Sequence, residues 1–380
     1  MKVAHVTWHG GLGGASKLVF DLSLGMKDKL GYELTVVYAT QGKELGGRLA
    51  DNGIRVYQGG MRSGLDPIGA YRVFKFLRHN KFDIVHLHYF TPLLRMAVIL
   101  GARHRTLITT RHVYIDYEGP FWYYRLFNNL LSKPKDVLVG VSSSVFKEIL
   151  GYRRIDRGRA MVISNGVDTT LFRKDNSLRM SGRKGMAISE DEIVIGTVRG
   201  LDSNHGVDHL IKAIPFVKQS TKRFRVCIVG DGVLRSEYEQ LACDLHVADQ
   251  VAFLGSRTDI PEILNCFDIF VMPSKNESFG IAAIEAMSTA LPVVAYAVGG
   301  LVDVIEDGIT GVLIPFRDPK ALAQALIQLC NSRELREAMG EAGRKRVKEH
   351  FSLDLTLRRY SDIYELALKS AKSRGASGEF

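Results

Sequence analysis

The chain is poor in cysteine, with four in 380 residues: Cys227, Cys243, Cys266 and Cys330, all in the second half and without a close Cys-x-x-Cys spacing. That excludes a disulfide framework and a cysteine-built zinc site, and it fits a reducing compartment. Uncharged apolar runs of roughly 18 residues are missing too, so no segment is expected to span a bilayer. The opening MKVAHVTWHGG has one lysine and then strand-like residues where a signal peptide would have an apolar stretch, so a cytoplasmic location is expected. No Asp-x-Asp pair stands at a strand end, and no bound metal is expected. With 46% hydrophobic and 24% charged residues, disorder and fibrous repeats are both out.

What is present is unevenly distributed. Residues 1–170 hold 24 Lys and Arg against 13 Asp and Glu, while the remainder holds 27 against 28. The net charge of +10 therefore resides in the first half. Such a half suits an anionic membrane face or an acidic substrate, or is simply a soluble surface. Nucleic acid is not expected, because no recognition motif accompanies the charge.

Short β-branched runs alternate with helix-length amphipathic segments along the whole chain. Strands are predicted at Val3–Trp8, Leu34–Ala39, Ile54–Tyr57, Ile84–His88, Thr106–Thr110, Val137–Val141 and Met161–Ile163, then at Ile193–Val198, Phe224–Val229, Val251–Leu254, Ile269–Met272, Val293–Tyr296 and Val312–Ile314. Unbroken Val/Ile/Leu strands are usually covered on both faces, which implies parallel sheets between helices. The fold class is thus α/β, with two doubly wound Rossmann-like domains, residues 1–175 and 188–350. The polar, basic stretch RKDNSLRMSGRKGMAI, from Arg173 to Ile188, is expected to link them. Residues 351–380 are expected to form a terminal amphipathic helix and a frayed tail.

Several clusters could carry chemistry. The first strand runs into HGGLGGASKLVFDLS, where Gly13 and Gly14 open a helix. Free amides and a helix dipole there suit an anion, although the spacing is not the GxGxxG fingerprint and a plain structural turn is the alternative. His86 and His88 lie at i and i+2 on one strand face, and His112 follows the next strand. A hydrogen-bonded core histidine is the other reading for His86, and two histidines without a third ligand argue against a metal. Beyond a later strand, Arg199 can fork a phosphate and His205 opens the next helix.

The most informative stretch is VMPSKNESFGIAAIEAMSTALPVVAYAVGG. Here Glu277 precedes a turn, Ser278, Phe279 and Gly280 lead into a helix, and Glu285 follows eight residues after Glu277. Amides at that helix start could bind an anion. A carboxylate within AAIEAM needs a partner if buried: two ribose hydroxyls or an arginine.

This stretch resembles the EX7E region of retaining glycosyltransferases of the GT-B fold, in the family-four group. The similarity runs through almost the whole chain: GGASKLVFDLS, DIVHLH, TTRH, VSSSVFKEIL, ISNGVDTTLF, GTVRGLDSNHGVDHLIKA, VCIVGDGVLR, FLGSRTDIPEIL, PSKNESFGIAAIEAM and LPVVAYAVGGLVDVIEDGITGVLIP. The resemblance implies two domains facing across a cleft that holds a nucleoside-diphosphate sugar, UDP- or GDP-linked, with the C-terminal helix returning to the first domain. It implies that Glu285 holds the ribose and Glu277 the transferred sugar. Arg199 would neutralise the diphosphate with the amides at Gly13–Gly14 and near Ser278–Gly280, and the loop Ser256–Ile260, with Arg257, would border the base. His112 would stand beside the donor sugar, while Asn165, Gly166 and Asp168 would shape the hinge. The chain departs from the family at three positions: His205 replaces a common lysine, and Ser278 and Ala290 replace common glycines. A histidine is a weaker, pH-dependent phosphate partner, and the two small residues are expected to be tolerated.

The expected activity is hexosyl transfer to an acceptor hydroxyl with retention, in bacterial envelope glycan synthesis such as lipopolysaccharide, capsule or glycolipid. The acceptor, lipid-linked or glycan, is expected to meet the basic first domain, where the aromatic and basic segment Tyr114–Lys135 suits the inner membrane surface. Core packing of Phe121, Trp122 and Phe127 is the alternative there. A sugar-nucleotide epimerase of the same fold, or an inactive sugar-nucleotide binder, would share the same motifs.

Overall fold

In the computed structural model, residues 1–11, 13–88, 91–102, 106–112, 136–151, 157–221 and 223–376 are described. The chain divides into two units: Met1–Gly166 with Leu353–Phe380, and Val167–Ser352.

The first unit is built on seven parallel strands: β1 (Lys2–Thr7), β2 (Glu33–Tyr38), β3 (Arg55–Gln58), β4 (Ile84–Leu87), β5 (Thr106–Arg111), β6 (Val137–Gly140) and β7 (Ala160–Val162). Their order is β3-β2-β1-β4-β5-β6-β7. Alternate residues of each strand feed opposite cores. Val3, Val36 and Ile84 pack with the helix Gly14–Leu30 and the C-terminal helix Leu353–Ala376. Ala4, Val37 and Val85 pack with the helices Pro67–His79 and Pro92–Gly101. Burial on both faces is why these strands read as unbroken apolar runs. Gly25 permits close approach of the C-terminal helix, since a Cβ there would lie 2.5 Å from Leu357 Cδ1.

The second unit repeats the plan with β8 (Ile193–Val198), β9 (Phe224–Val229), β10 (Val251–Gly255), β11 (Ile269–Met272), β12 (Val293–Tyr296) and β13 (Gly311–Ile314). The order is β10-β9-β8-β11-β12-β13. In both sheets the strand order reverses once, between β1 and β4 and between β8 and β11. In open α/β sheets the crevice beyond the strand ends at such a reversal is where ligands bind.

The stretch Arg173–Ile188 is not a linker. The chain passes between units after Gly166 and again after Ser352, and residues 176–185 form a helix of the second unit. Asp175 caps it by accepting from the amides of Ser177 and Leu178. Its hold on the unit is polar: Arg179 and Arg183 both grip Asp268, at 2.6 and 2.5 Å, and the buried Arg183 also donates to the carbonyls of Cys266, Ser189 and Glu192. Met180 stays 67% exposed. A helix fastened by arginines leaves no apolar stripe to read, which is why the segment passes for a loop in the sequence.

Candidate functional site

In the second unit, Arg199 continues the β8 ladder, its N–H donating to Val229 O at 2.8 Å. Its guanidinium meets Glu277 Oε2 at 2.6 Å, with the Arg199 side chain only 6% exposed. The two loops that carry this pair are knitted together. Lys275 N donates to Asn204 O at 2.9 Å, and Gly300 N to Glu277 O at 2.8 Å. Gly206 takes φ +65°, and a Cβ there would sit 1.9 Å from Pro273 O, so only glycine fits between the loops. A charge-assisted bond at the β8/β11 reversal holds the guanidinium in place before any ligand arrives.

His205 stands next to this pair. Its Nδ1 is 2.9 Å from Asp202 Oδ1, an ion-pair distance without hydrogen-bond geometry. Burial lowers its pKa, the Arg199 charge adds to that, and Asp202 and Glu277 oppose. The ring is therefore neutral at pH 7, where a lysine in its place would be a cation.

The turn after Glu277 ends at Gly280, φ +102°, which opens the helix Ile281–Ser288 with no side chain capping its amides. Glu285 is buried within that helix, 7% exposed. The Phe279 ring is committed to packing, edge-on to Phe351. Ser278 has no left-handed backbone, but Ala290 does, at φ +61°. Arg257 follows β10 on the surface, 43% exposed, with both arms of its fork on Asp259.

The first unit offers two features at its own reversal. Gly13 starts the helix Gly14–Leu30 in extended conformation with no side-chain cap, and space is open where its Cβ would point. The preceding turn is ordered by His9, whose Nδ1 accepts from Gly11 N at 3.1 Å. The second feature is a group of buried histidines, larger than the two adjacent rings of DIVHLH. β1 contributes His5, which pairs in register with His86. Ring nitrogens of His5, His86 and His88 all lie within 4.8 Å of one another.

The ring nitrogens of His5 and His86 are committed to hydrogen bonds whose directions can be worked out. Burial lowers the pKa of His5 to about 3 and holds His86 far below its usual value, so both rings are neutral and carry one proton each. Ser23 donates its hydroxyl to Val19 O at 2.7 Å, so it must accept from His5 Nδ1–H at 3.1 Å. His5 Nε2 then accepts from the Tyr364 hydroxyl, whose oxygen accepts from His86 Nδ1–H at 2.6 Å. His86 Nε2 accepts from Thr110 at 2.7 Å, and Thr110 accepts from Tyr360 at 3.1 Å. This one-directional chain fastens the C-terminal helix to β1, β4 and β5. His88 and His112 form a separate pair, Nδ1 to Nε2, at 3.2 Å.

The structure thus brings Arg199, His205 and Glu277 together and places His112 beside His88. It leaves Arg257 on a carboxylate and the Phe279 side chain in the core. His5, Tyr360 and Tyr364 escape sequence reasoning; the Tyr360/Tyr364 pair, one helical turn apart, is the only local signal. Tyr114–Lys135 lies outside the described residues.

Residues 12–171 match the model for Glycosyltransferase Family 4, and residues 181–346 that for Glycosyl transferases group 1. A D-inositol 3-phosphate glycosyltransferase of Corynebacterium aurimucosum is 31% identical over 71% of this chain and 69% of its own length. The chain belongs to the group 1, family-four glycosyltransferases. An N-acetyl-alpha-D-glucosaminyl L-malate synthase of Bacillus anthracis is 29% identical over 78% of each protein. The crystal structure of Anabaena Alr3699/HepE in complex with UDP and glucose superimposes with a TM-score of 0.82, over 96% of this chain and 99% of that one, at 20% identity. That likeness extends the shared GT-B fold over both units. As a family-four glycosyltransferase the protein is an enzyme of glycosyl transfer. Among its described residues no helix is long and apolar enough to cross a membrane.

Proposed function

We propose that the enzyme moves a hexose from a UDP- or GDP-sugar to an acceptor hydroxyl with retention of anomeric configuration. The observation that carries this reading is the Arg199–Glu277 pair at the β8/β11 reversal. Breaking the glycosidic bond puts charge on the departing diphosphate and leaves an oxocarbenium-like sugar. Arg199 and the uncapped amides of the Ile281–Ser288 helix meet the first charge, and donors fixed in advance act without reorganisation. Glu277, which already orients Arg199, accepts from hydroxyls of the transferred sugar, and Glu285 takes the ribose. Gly13 and Gly14 supply further amides, His112 stands beside the sugar, and Arg257 borders the base, exchanging Asp259 for it. The acceptor's proton passes to the leaving phosphate on the same face, so no separate base or metal is assigned. The UDP bound to the Anabaena structural neighbour supports a nucleotide donor.

The acceptor is proposed to be a lipid-linked or envelope glycan, met by the enzyme at the inner face of the membrane. Supporting this, Leu65, Ile68 and Tyr71 are 80, 64 and 60% exposed, with exposed Arg62 in the turn before the helix Pro67–His79 and exposed Arg72, Lys75 and Arg78 on the helix itself. Apolar anchors ringed by cations suit an anionic lipid surface. Flotation with phosphatidylglycerol vesicles at low salt is expected to carry the enzyme, and Ile68→Asp with Tyr71→Asp to abolish this; flotation unchanged by both substitutions contradicts it.

A thermal-shift screen against UDP, GDP, ADP and CDP sugars identifies the donor. Arg199→Ala is then expected to lower donor turnover by about 10²–10³-fold. Undiminished turnover in Arg199→Ala would remove the assignment.

A further inference from the structure

We infer that His88 is a positioning residue for His112, setting which nitrogen of that ring carries the proton. The inference deepens the proposed transfer reaction and rests on it for what His112 meets. Each ring has one nitrogen in their mutual bond and one, His88 Nε2 or His112 Nδ1, that is buried without a partner among the described residues. Both rings are neutral, with the His112 pKa pushed down to about 4 by burial and by Arg111. Two proton arrangements are then possible, and each leaves one orphan N–H and one orphan lone pair.

The arrangements differ in where the orphan N–H resides. A buried N–H without an acceptor is rarer in proteins than an unfilled acceptor, so it belongs on the ring closer to the surface. His112 is 7% exposed and His88 is 1% exposed. The proton therefore lies on His88 Nδ1, which donates to His112 Nε2, and His112 keeps its own proton on Nδ1. That N–H, buried and without a partner among the described residues, is what an oxygen of the bound sugar would accept from. The bond that one imidazole nitrogen makes determines which tautomer the other presents.

Rigidity comes from beneath. His86 on β4 and His88, just beyond its end, have ring centroids 3.9 Å apart, and Thr110 lies two residues before His112. Tyr364 holds His86 and Tyr360 holds Thr110, so the C-terminal helix braces both strands one step below the pair.

Ring ¹⁵N shifts of the ligand-free parent enzyme test the tautomer without reference to activity. His112 is expected as the Nδ1–H form; finding Nε2–H there overturns the inference, whatever the enzyme transfers. In His88→Phe the His112 signal is expected to move toward Nε2–H, and turnover of the donor found in the screen to fall at least about tenfold, with donor KM within about threefold of the parent. His88→Asn, which offers an amide N–H at the level of Nδ1, is expected to keep the Nδ1–H form and most of kcat. Equal losses in His88→Phe and His88→Asn, or no loss in either, contradict the positioning role. A parent with the expected tautomer and no transfer from any donor would reject the proposed reaction and leave the tautomer assignment standing.

Discussion

Arg199 and Glu277 do for each other in the free enzyme what each is proposed to do for the donor, and at this scale the neighbours decide the outcome. His205 is the weak member. Facing Arg199, Asp202 and Glu277, it has a pKa below its usual value, so at neutral pH it brings no charge to a diphosphate. A bound phosphate favours the protonated ring, so donor affinity should rise as pH falls from 8 toward 5.5. His205→Lys is expected to tighten nucleoside diphosphate binding several-fold at pH 8 and to flatten that slope, as titration calorimetry at both pH values would read. Ala290 is a second residue whose chemistry disagrees with its place. A methyl-bearing residue there takes φ +61°, the left-handed region that favours glycine. Ala290→Gly is expected to stabilise the enzyme by about 1 kcal/mol, read as a shift in its urea midpoint. Ser278, the other replacement, carries no such strain.

The C-terminal helix shows how an element is held by polar groups inside an apolar core. Tyr364 bridges His5 and His86, and removing its hydroxyl leaves a buried lone pair on one ring and a buried N–H on the other. Tyr364→Phe is expected to cost about 1–3 kcal/mol in urea unfolding, whereas Tyr32→Phe, which loses a half-buried bond to Ser361, should cost about 1 kcal/mol or less. The strands were legible in the sequence because parallel strands covered on both faces carry apolar and β-branched residues at most positions. The helix Asn176–Gly185 was not, because arginines on Asp268 hold it. The histidine chain was legible only in part. The adjacent His86 and His88 show in DIVHLH, but His5 and Tyr364 join them through strand register and helix return, which local spacing does not report. At the candidate site, the reading of Arg199 beside a strand end anticipates its position, while its bond to Glu277 joins residues 78 positions apart.

Over the whole molecule, the buried neutral histidines tie stability to pH. His5 titrates at about 3 and His112 at about 4 when folded, with His86 and His88 also depressed, whereas unfolded histidine titrates near 6.5. Below pH 6.5 the unfolded chain takes up protons that the folded chain refuses, so stability is full above that pH and drains as pH falls toward the folded values. Each ring contributes a slope of up to about 1.4 kcal/mol per pH unit in that window. Urea unfolding at pH 7.0 and 5.5, a range above the ordinary carboxylate titrations, should show a marked loss at the lower pH. Equal stability at both would mean that the rings are not neutral in the folded state. The basic balance of residues 1–170 belongs to this scale as well, since it is the summed field, more than any single lysine, that would draw the enzyme to an anionic surface.

The most direct test of the account is a crystal structure of the enzyme with its nucleoside-diphosphate sugar bound. The diphosphate is expected within hydrogen-bond distance of the Arg199 guanidinium, the ribose hydroxyls on the Glu285 carboxylate and the sugar against Glu277. A donor bound elsewhere, or one that leaves Arg199 and both acids untouched, would contradict it.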